Sequence, residues 1–387
     1  MCYNILWKKE AGDLGSMTKM LKSLQPDSRG ACVRVDLSAI AQNIYTLRAR
    51  LGAQVRMLAV VKANAYGHGL VPTAKKAVAC GVDFLGVAVP EEGAALRKAC
   101  VTAPCLVLGN VSESGALLSA EFGLVQTVCD ADGVRRMQNA CEALNTRAQV
   151  HLKIDTGMCR IGARTAEDVK NVLAAIDAAD RVELTGAFTH FANAGDESDV
   201  RRQFERFEEM SQLLPGGLIR HAAASEAALR YPFVRLDMVR IGIALYGCEG
   251  ENLRPALQWE TQIAYVKDIQ PGDRVGYGGV FTAQNPMRIA TIAVGYGDGY
   301  LRAFSEKAQV LIHGVRCPVL GRVCMDQTMV DVSHVPGAQQ GDTAVLLGAQ
   351  GDERISAQEL AAWGGTICYE VLMLHADRVP VMIENEE

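Results

Sequence analysis

Between Arg56 and Gly247 short β-branched runs alternate with helix-patterned stretches eight times, and this rhythm limits what the chain can fold into more than any other feature. The runs are RMLAVVK, DFLGVAV, PCLVLGN, LVQTVCD, AQVHLKID, VELTGAFTHF, LIRHAAAS and DMVRIGIALYG. Each is continuously apolar rather than alternating, as a strand covered on both faces must be. Between them, segments such as TAEDVKNVLAAIDAAD and ESDVRRQFERFEEMSQLL repeat apolar residues at helical spacing. The pattern predicts an α/β fold with an eight-stranded parallel (β/α)8 barrel of the TIM type. A doubly wound open sheet is the alternative, but no GxGxxG follows the first strand to favour it.

After Gly250 the texture changes. Strand-like runs follow one another through tight turns: TQIAYVKDI, RVGYGGVFTA, MRIATIAVG, QVLIHG, RCPVLGRV, QTMVDVS and TAVLLG, with one helix expected at SAQELAAWG. This is the pattern of a mostly antiparallel β domain. The expected divisions are an N-terminal extension over 1–29, the barrel over 30–250 and the β domain over 251–387.

The 387 residues exceed what one compact core usually holds, and a net charge of −5 lacks the basic excess that nucleic acid requires. No apolar run reaches the roughly 20 residues of a membrane span. None of the twelve cysteines forms a CxxC pair, so no metal site is expected, and reduced thiols of a cytoplasmic protein are the reading adopted.

In a (β/α)8 barrel, chemistry gathers where the carboxyl ends of the strands meet the loops. Lys62 ends the first strand; Lys153, Asp155 and Arg160 follow the fifth; His190 ends the sixth; Ser225 follows the seventh; Arg240 and Gly242 close the eighth. A lone lysine there can be a solvated or ion-paired residue. Around Lys62, however, Ala63, Ala65, Gly67 and Gly69 clear space and Tyr66 adds a hydroxyl. Burial lowers a lysine's pKa and frees the nucleophilic amine.

AVVKANAYGHG resembles the pyridoxal-phosphate lysine motif of bacterial alanine racemases. KIDTGMCRIG, FTHFA, MVRIGIALYG, RVGYGGVFTA, VGYGDGY, GRVCMDQTMVDV and CYEV resemble the same family's landmarks in the same order, from about Val33 to the C-terminus. The resemblance implies that Val33–Asp36 joins the β domain before the chain enters the barrel. It makes Lys62 the lysine that carries pyridoxal 5'-phosphate and one catalytic base, and Tyr277 the base on the opposite face. It implies a head-to-tail homodimer with shared sites. His190 and Arg240 resemble the cationic neighbours that favour the Tyr277 phenolate, and Arg240 the partner of the cofactor's ring nitrogen.

The resemblance further assigns the cofactor phosphate to Tyr66, Ser225, Gly242, Ile243 and Tyr369. The substrate carboxylate falls to Arg160 and the backbone of Met325, with Asp326 shaping the same region. Tyr296 and Tyr369 resemble a gate. Lys153 matches a lysine that can be carbamylated, and a plain ion-paired lysine stays open beside that reading. HAAASEA departs from the usual pattern, with Ala224 where the family has Asn. His68, Cys159 and Cys324 receive no catalytic task. The activity implied is interconversion of L- and D-alanine for cell-wall peptidoglycan. Alternatives are serine racemisation, amino-acid decarboxylation on a similar architecture, and non-catalytic cofactor binding.

Overall fold

The computed structural model describes residues 27–110 and 112–386. Most of the segment expected as an extension, residues 1–26, therefore lies outside the described residues. The contacts divide the chain into two units, one formed by the described residues up to Val35 with Leu257–Glu384, the other by Asp36–Ala256.

The second unit is the barrel. Its strands are Arg56–Val60, Phe84–Val87, Cys105–Val107, Val125–Val128, Ala148–Lys153, Val182–Phe188, Ile219–His221 and Met238–Ile241. The first seven are each parallel to the next in chain order, and the eighth pairs in parallel with the first. Asp237 N donating to Arg220 O at 3.1 Å and Arg240 N donating to Ala223 O at 3.0 Å join the seventh strand to the eighth, so the ring closes. The continuous apolar runs are explained by burial on both sides: Met57, Leu58, Val150 and Leu152 are all at 0% exposure. Each such side chain contributes about 1.5–3 kcal/mol on burial. The helix Ala166–Asp177 starts at a capping box in which Thr165 and Asp168 satisfy each other's backbone N–H groups. Residues 251–256 stay with the barrel, because Asn43 Nδ2 donates to Leu245 O and Arg254 O, and Asp36 N donates to Ala256 O.

The other unit is built on a nine-stranded sheet. Cys32–Asp36 pairs antiparallel with the long strand Leu257–Ile269, which also pairs with Met287–Ile292 and Thr343–Gln350. The helix at SAQELAAWG forms over Ala357–Gly364, capped by Ser356 and Glu359. One stretch differs from the expected strand. RVGYGGVFTA gives only two short antiparallel pieces, Arg274–Val275 and Phe281–Thr282, around a 3₁₀ turn at Tyr277–Gly279. Gly276, Gly278 and Gly279 adopt φ of +72°, +76° and +51°, which ends the strand and lifts Tyr277 onto the turn.

Candidate active site

Lys62 follows the first barrel strand and opens a turn of unusual hand. Ala63, Asn64, Ala65 and Tyr66 have φ between +52° and +56°, four consecutive non-glycine residues in the left-handed region. At roughly 1–2 kcal/mol per residue this costs on the order of 4–8 kcal/mol, which the surroundings must offset. Glu92 supplies part: its carboxylate accepts Ala63 N at 2.6 Å and Ala88 N at 2.8 Å. Asn64 Oδ1 accepts Leu70 N at 2.8 Å, and the buried His68 lies with Nδ1 2.9 Å from Tyr66 O. Lys62 is thus the first residue of a turn that Glu92, Asn64 and His68 hold in the left-handed region. Burial first, then the charges of Arg160 and Arg240, lower the Lys62 pKa, while Glu92 acts in the opposite direction.

Beneath Lys62 the barrel holds a polar network centred on Arg240, which is 3% exposed. Its Nη2 donates to Thr189 O at 2.7 Å and Ala222 O at 2.9 Å, and its Nη1 to His221 O at 2.9 Å. Nη1 also lies 3.0 Å from His221 Nδ1 and Nη2 3.2 Å from His190 Nδ1. A guanidinium only donates, so both Nδ1 atoms accept and both rings carry their proton on Nε2. His221 Nε2 then donates to His151 Nδ1 at 2.9 Å. Burial, reinforced by Arg240, holds His190 and His221 well below the usual histidine pKa and takes His151 to about 3, so the three rings are neutral. Gly186 makes room for this relay, since a Cβ there would sit 2.6 Å from the His151 ring. Burial and the Arg160 charge also press the Arg240 pKa downward, but three carbonyls facing the guanidinium keep it protonated.

Lys153, 4% exposed, lies with Nζ 4.9 Å from the Phe188 ring centroid. Burial, then Arg240 and Arg160, lower its pKa to about 7. Arg160 itself is exposed, on a loop tied down by Asp155 Oδ1, which accepts Gly157 N and Cys159 N, each at 3.0 Å. Asp155 therefore shapes the loop that presents Arg160.

Ser225 is the first residue of its helix rather than the cap, a position held by Ala224 without a side-chain bond. Its Oγ accepts Gly242 N at 3.0 Å and lies 3.4 Å from Ala244 N. A Cβ at Gly242 would come within 2.7 Å of the Tyr66 hydroxyl, so glycine opens a cradle beside Tyr66 and Ser225. Ile243 starts the 3₁₀ turn that follows. Tyr246 backs Tyr66 with ring centroids 4.9 Å apart and donates to Val60 O at 2.9 Å.

The barrel unit thus gathers Lys62, Tyr66, Lys153, Arg160, His190, Ser225, Arg240, Gly242 and Ile243. Tyr277, Tyr296, Met325, Asp326 and Tyr369 belong to the β unit. Tyr277 is 69% exposed, which removes packing within its own unit as its purpose. Arg274 staples its turn by donating to Gly279 O at 3.0 Å and Gly278 O at 3.1 Å. Tyr277, Met325 and Asp326 line one cavity of about 750 Å³. Tyr296 is exposed and Tyr369 half-buried. His221, His151 and Glu92 escaped the sequence reading; a histidine inside an apolar strand was the available signal for the first two.

The whole ordered set lies in two consecutive matches to family models. Residues 35–250 match the alanine racemase N-terminal domain and residues 256–383 the alanine racemase C-terminal domain. The chain belongs to the alanine racemase family. Its similarity to an alanine racemase of Halothermothrix orenii is 38% identity over 373 residues, 93% of this chain and 98% of that protein. The crystal structure of alanine racemase from Bacillus anthracis with bound L-Ala-P superposes with a TM-score of 0.87 at 36% identity, covering 94% of this chain and 97% of that one. A histidine racemase from Leuconostoc mesenteroides shares the alanine racemase architecture of this chain as well, with a TM-score of 0.85 at 28% identity, covering 93% of this chain and 100% of that one. No helix among the described residues is long and apolar enough to cross a membrane.

Proposed function

We propose that this chain is a pyridoxal-phosphate-dependent alanine racemase whose two bases are Lys62 and Tyr277 of the partner subunit. The observation that carries the reading is Lys62 just after the first barrel strand, opening a left-handed turn, its proton loosened by burial and two guanidiniums. The residues fit the cofactor. The glycine cradle at Gly242, with the Tyr66 and Ser225 hydroxyls beside it, offers neutral donors suited to a phosphate. When bound, the cofactor supplies an aldehyde for Lys62 and a conjugated ring that delocalises the electron pair left on Cα.

Arg240 would hold the ring nitrogen and, unable to give up a proton readily, would leave that nitrogen unprotonated. Lys62 removes or delivers a proton on one face of Cα. The Tyr277 hydroxyl does so on the other, which two-way interconversion requires. Arg160 would take the substrate carboxylate with its planar fork, and the Met325 N–H would assist. A Lys153 pKa of about 7 leaves much of this amine neutral near neutrality. A neutral amine can add carbon dioxide and release a proton, and the resulting carbamate would orient Arg160.

The exposure of Tyr277 supports a head-to-tail homodimer in which each β unit completes the other copy's barrel site. The task is supply of D-alanine for peptidoglycan in the cytoplasm. Because a histidine racemase shares the fold, the fold alone does not fix the side chain. Tyr296 and Tyr369 favour a small one, with serine the nearest competitor. In deuterated water the holoenzyme is expected to exchange the α-hydrogen of L-alanine, form D-alanine and do so faster than with L-serine. Release of carbon dioxide would indicate a decarboxylase, and bound cofactor without exchange would contradict racemisation.

A further inference from the structure

The β unit contains an ion-pair chain that no role above uses. Asp298, in the turn GYGDG, has a fully buried side chain, yet two guanidiniums reach it: Arg378 Nε lies 2.7 Å and Arg29 Nη1 3.0 Å from its Oδ1. The other oxygen, Oδ2, accepts Gly295 N at 3.0 Å. Arg378 continues outward, its Nη2 donating to Asp326 Oδ1 at 2.8 Å. One arginine thus bridges the residue two places after Tyr296 and the residue immediately after Met325.

The backbone repeats the connection. Tyr296 N donates to Cys324 O at 2.9 Å and Gly297 N to Met325 O at 2.8 Å. The fit is close: a Cβ at Gly297 would lie 2.6 Å from Arg378 Nη2, and one at Gly295 would lie 2.3 Å from Cys324 O. Ala376 N donates to Asp298 O at 2.9 Å, which ties the loop carrying Arg378 to the same turn. The chain runs Asp27, Arg29, Asp298, Arg378, Asp326, so each guanidinium lies between two carboxylates.

We propose that Arg378 is a positioning residue: by bridging buried Asp298 to Asp326 it fixes the Tyr296 turn against the Met325 loop and so sets how closely this lip fits the substrate side chain. Arg29 is the inner counter-charge, which makes the end of the N-terminal segment part of the lip's scaffold. Removing Arg378 leaves Asp298 with Arg29 and frees Asp326. The backbone bonds then hold the two loops alone, and the lip loosens without loss of any group that touches the reacting atoms. A lysine in its place can meet one carboxylate but lacks the fork that spans two.

This inference rests on the racemase reading for its substrate and on geometry for its clamp, so the test has two readouts. Arg378→Ala, Arg378→Lys and Asp326→Asn are compared with the wild-type holoenzyme by backbone hydrogen exchange over 293–300 and 322–329 and by kcat and KM for L-alanine and L-serine. Arg378→Ala is expected to speed exchange in both segments about tenfold. It should raise KM for alanine about five- to tenfold, change kcat less than about twofold and shift the kcat/KM ratio toward serine. Arg378→Lys should recover part of each effect. Asp326→Asn, which leaves the buried pair intact, should move both readouts the same way by less. Unchanged exchange together with unchanged kcat/KM ratios in the folded variants would overturn the proposal. Faster exchange on Arg378→Ala in a chain whose wild type does not racemise alanine would support the clamp and overturn the substrate reading.

Discussion

The barrel rim and the lip of the β unit handle charge in opposite ways. At the rim, the charges of Arg160 and Arg240 lower the pKa of Lys62 and Lys153, and Arg240 is met by carbonyls and neutral imidazoles instead of carboxylates. At the lip, Arg29 and Arg378 each meet carboxylates, and the aromatic hydroxyl of Tyr277 stands in the open on a stapled turn. Unpaired, buried positive charge is costly to maintain and makes amines give up protons, so it marks where chemistry is done. Paired charge at the lip makes a scaffold. Under the proposed function the rim would take the anionic cofactor and the lip would present Tyr277 as the base to another copy's barrel.

The largest test of that contrast is Lys62→Ala. Racemisation should fall by about ten-thousand-fold or more and the cofactor's visible absorbance at the lysine should vanish, while circular dichroism stays that of the wild type. Tyr277→Phe comes next. On an exposed turn it should lose about a hundred- to a thousandfold in turnover, most from the L side, and keep the absorbance. Full activity in this variant would end the role of the lip in proton transfer.

Smaller effects probe what holds the rim together. Glu92→Gln exchanges a carboxylate that accepts two backbone N–H groups for an amide that can accept with one atom only. Thermal unfolding should show a loss of about 1.5–3 kcal/mol, and removal of the Glu92 charge should lower the Lys62 pKa further. The last test is a pH slope rather than a loss at one pH. The folded Lys153 pKa, about 7, lies below its unfolded value of 10.5, so folding carries the full penalty of a buried charge below about pH 7 and sheds it as pH rises from there to 10.5. The Tm advantage of Lys153→Met over the wild type should therefore shrink across that window. A pH-independent difference, with the mass of one added carbon dioxide on the wild-type chain, would mean that Lys153 is carbamylated.

Much of the fold was legible because the barrel strands are apolar on both faces, and eight such runs separated by helical spacing leave few arrangements. The rim residues were legible for the same reason, since a strand's end fixes where Lys62, His190 and Arg240 emerge. The left-handed turn was not, because Ala63 to Tyr66 have no composition that announces positive φ and the stabilising Glu92 comes from a different βα unit. His221 and His151 were hidden because their meaning lies in a relay across three strands. The clamp was hidden too: Arg29, Asp298, Asp326 and Arg378 are spread over some 350 positions and meet only in the folded β unit. The bond that Ser225 Oγ accepts from Gly242 N was hidden as well, because the two residues lie 17 positions apart and meet only where the seventh and eighth strands end.

The central claim is that one copy's Lys62 and another's Tyr277 serve the same substrate. Mixing inactive Lys62→Ala and Tyr277→Phe subunits under conditions that exchange dimer partners, then assaying L-alanine racemisation, tests it most directly. The account predicts that activity returns, because each mixed dimer holds one site with both bases intact. Mixed dimers, verified by mass, that stay as inactive as their parents would contradict it.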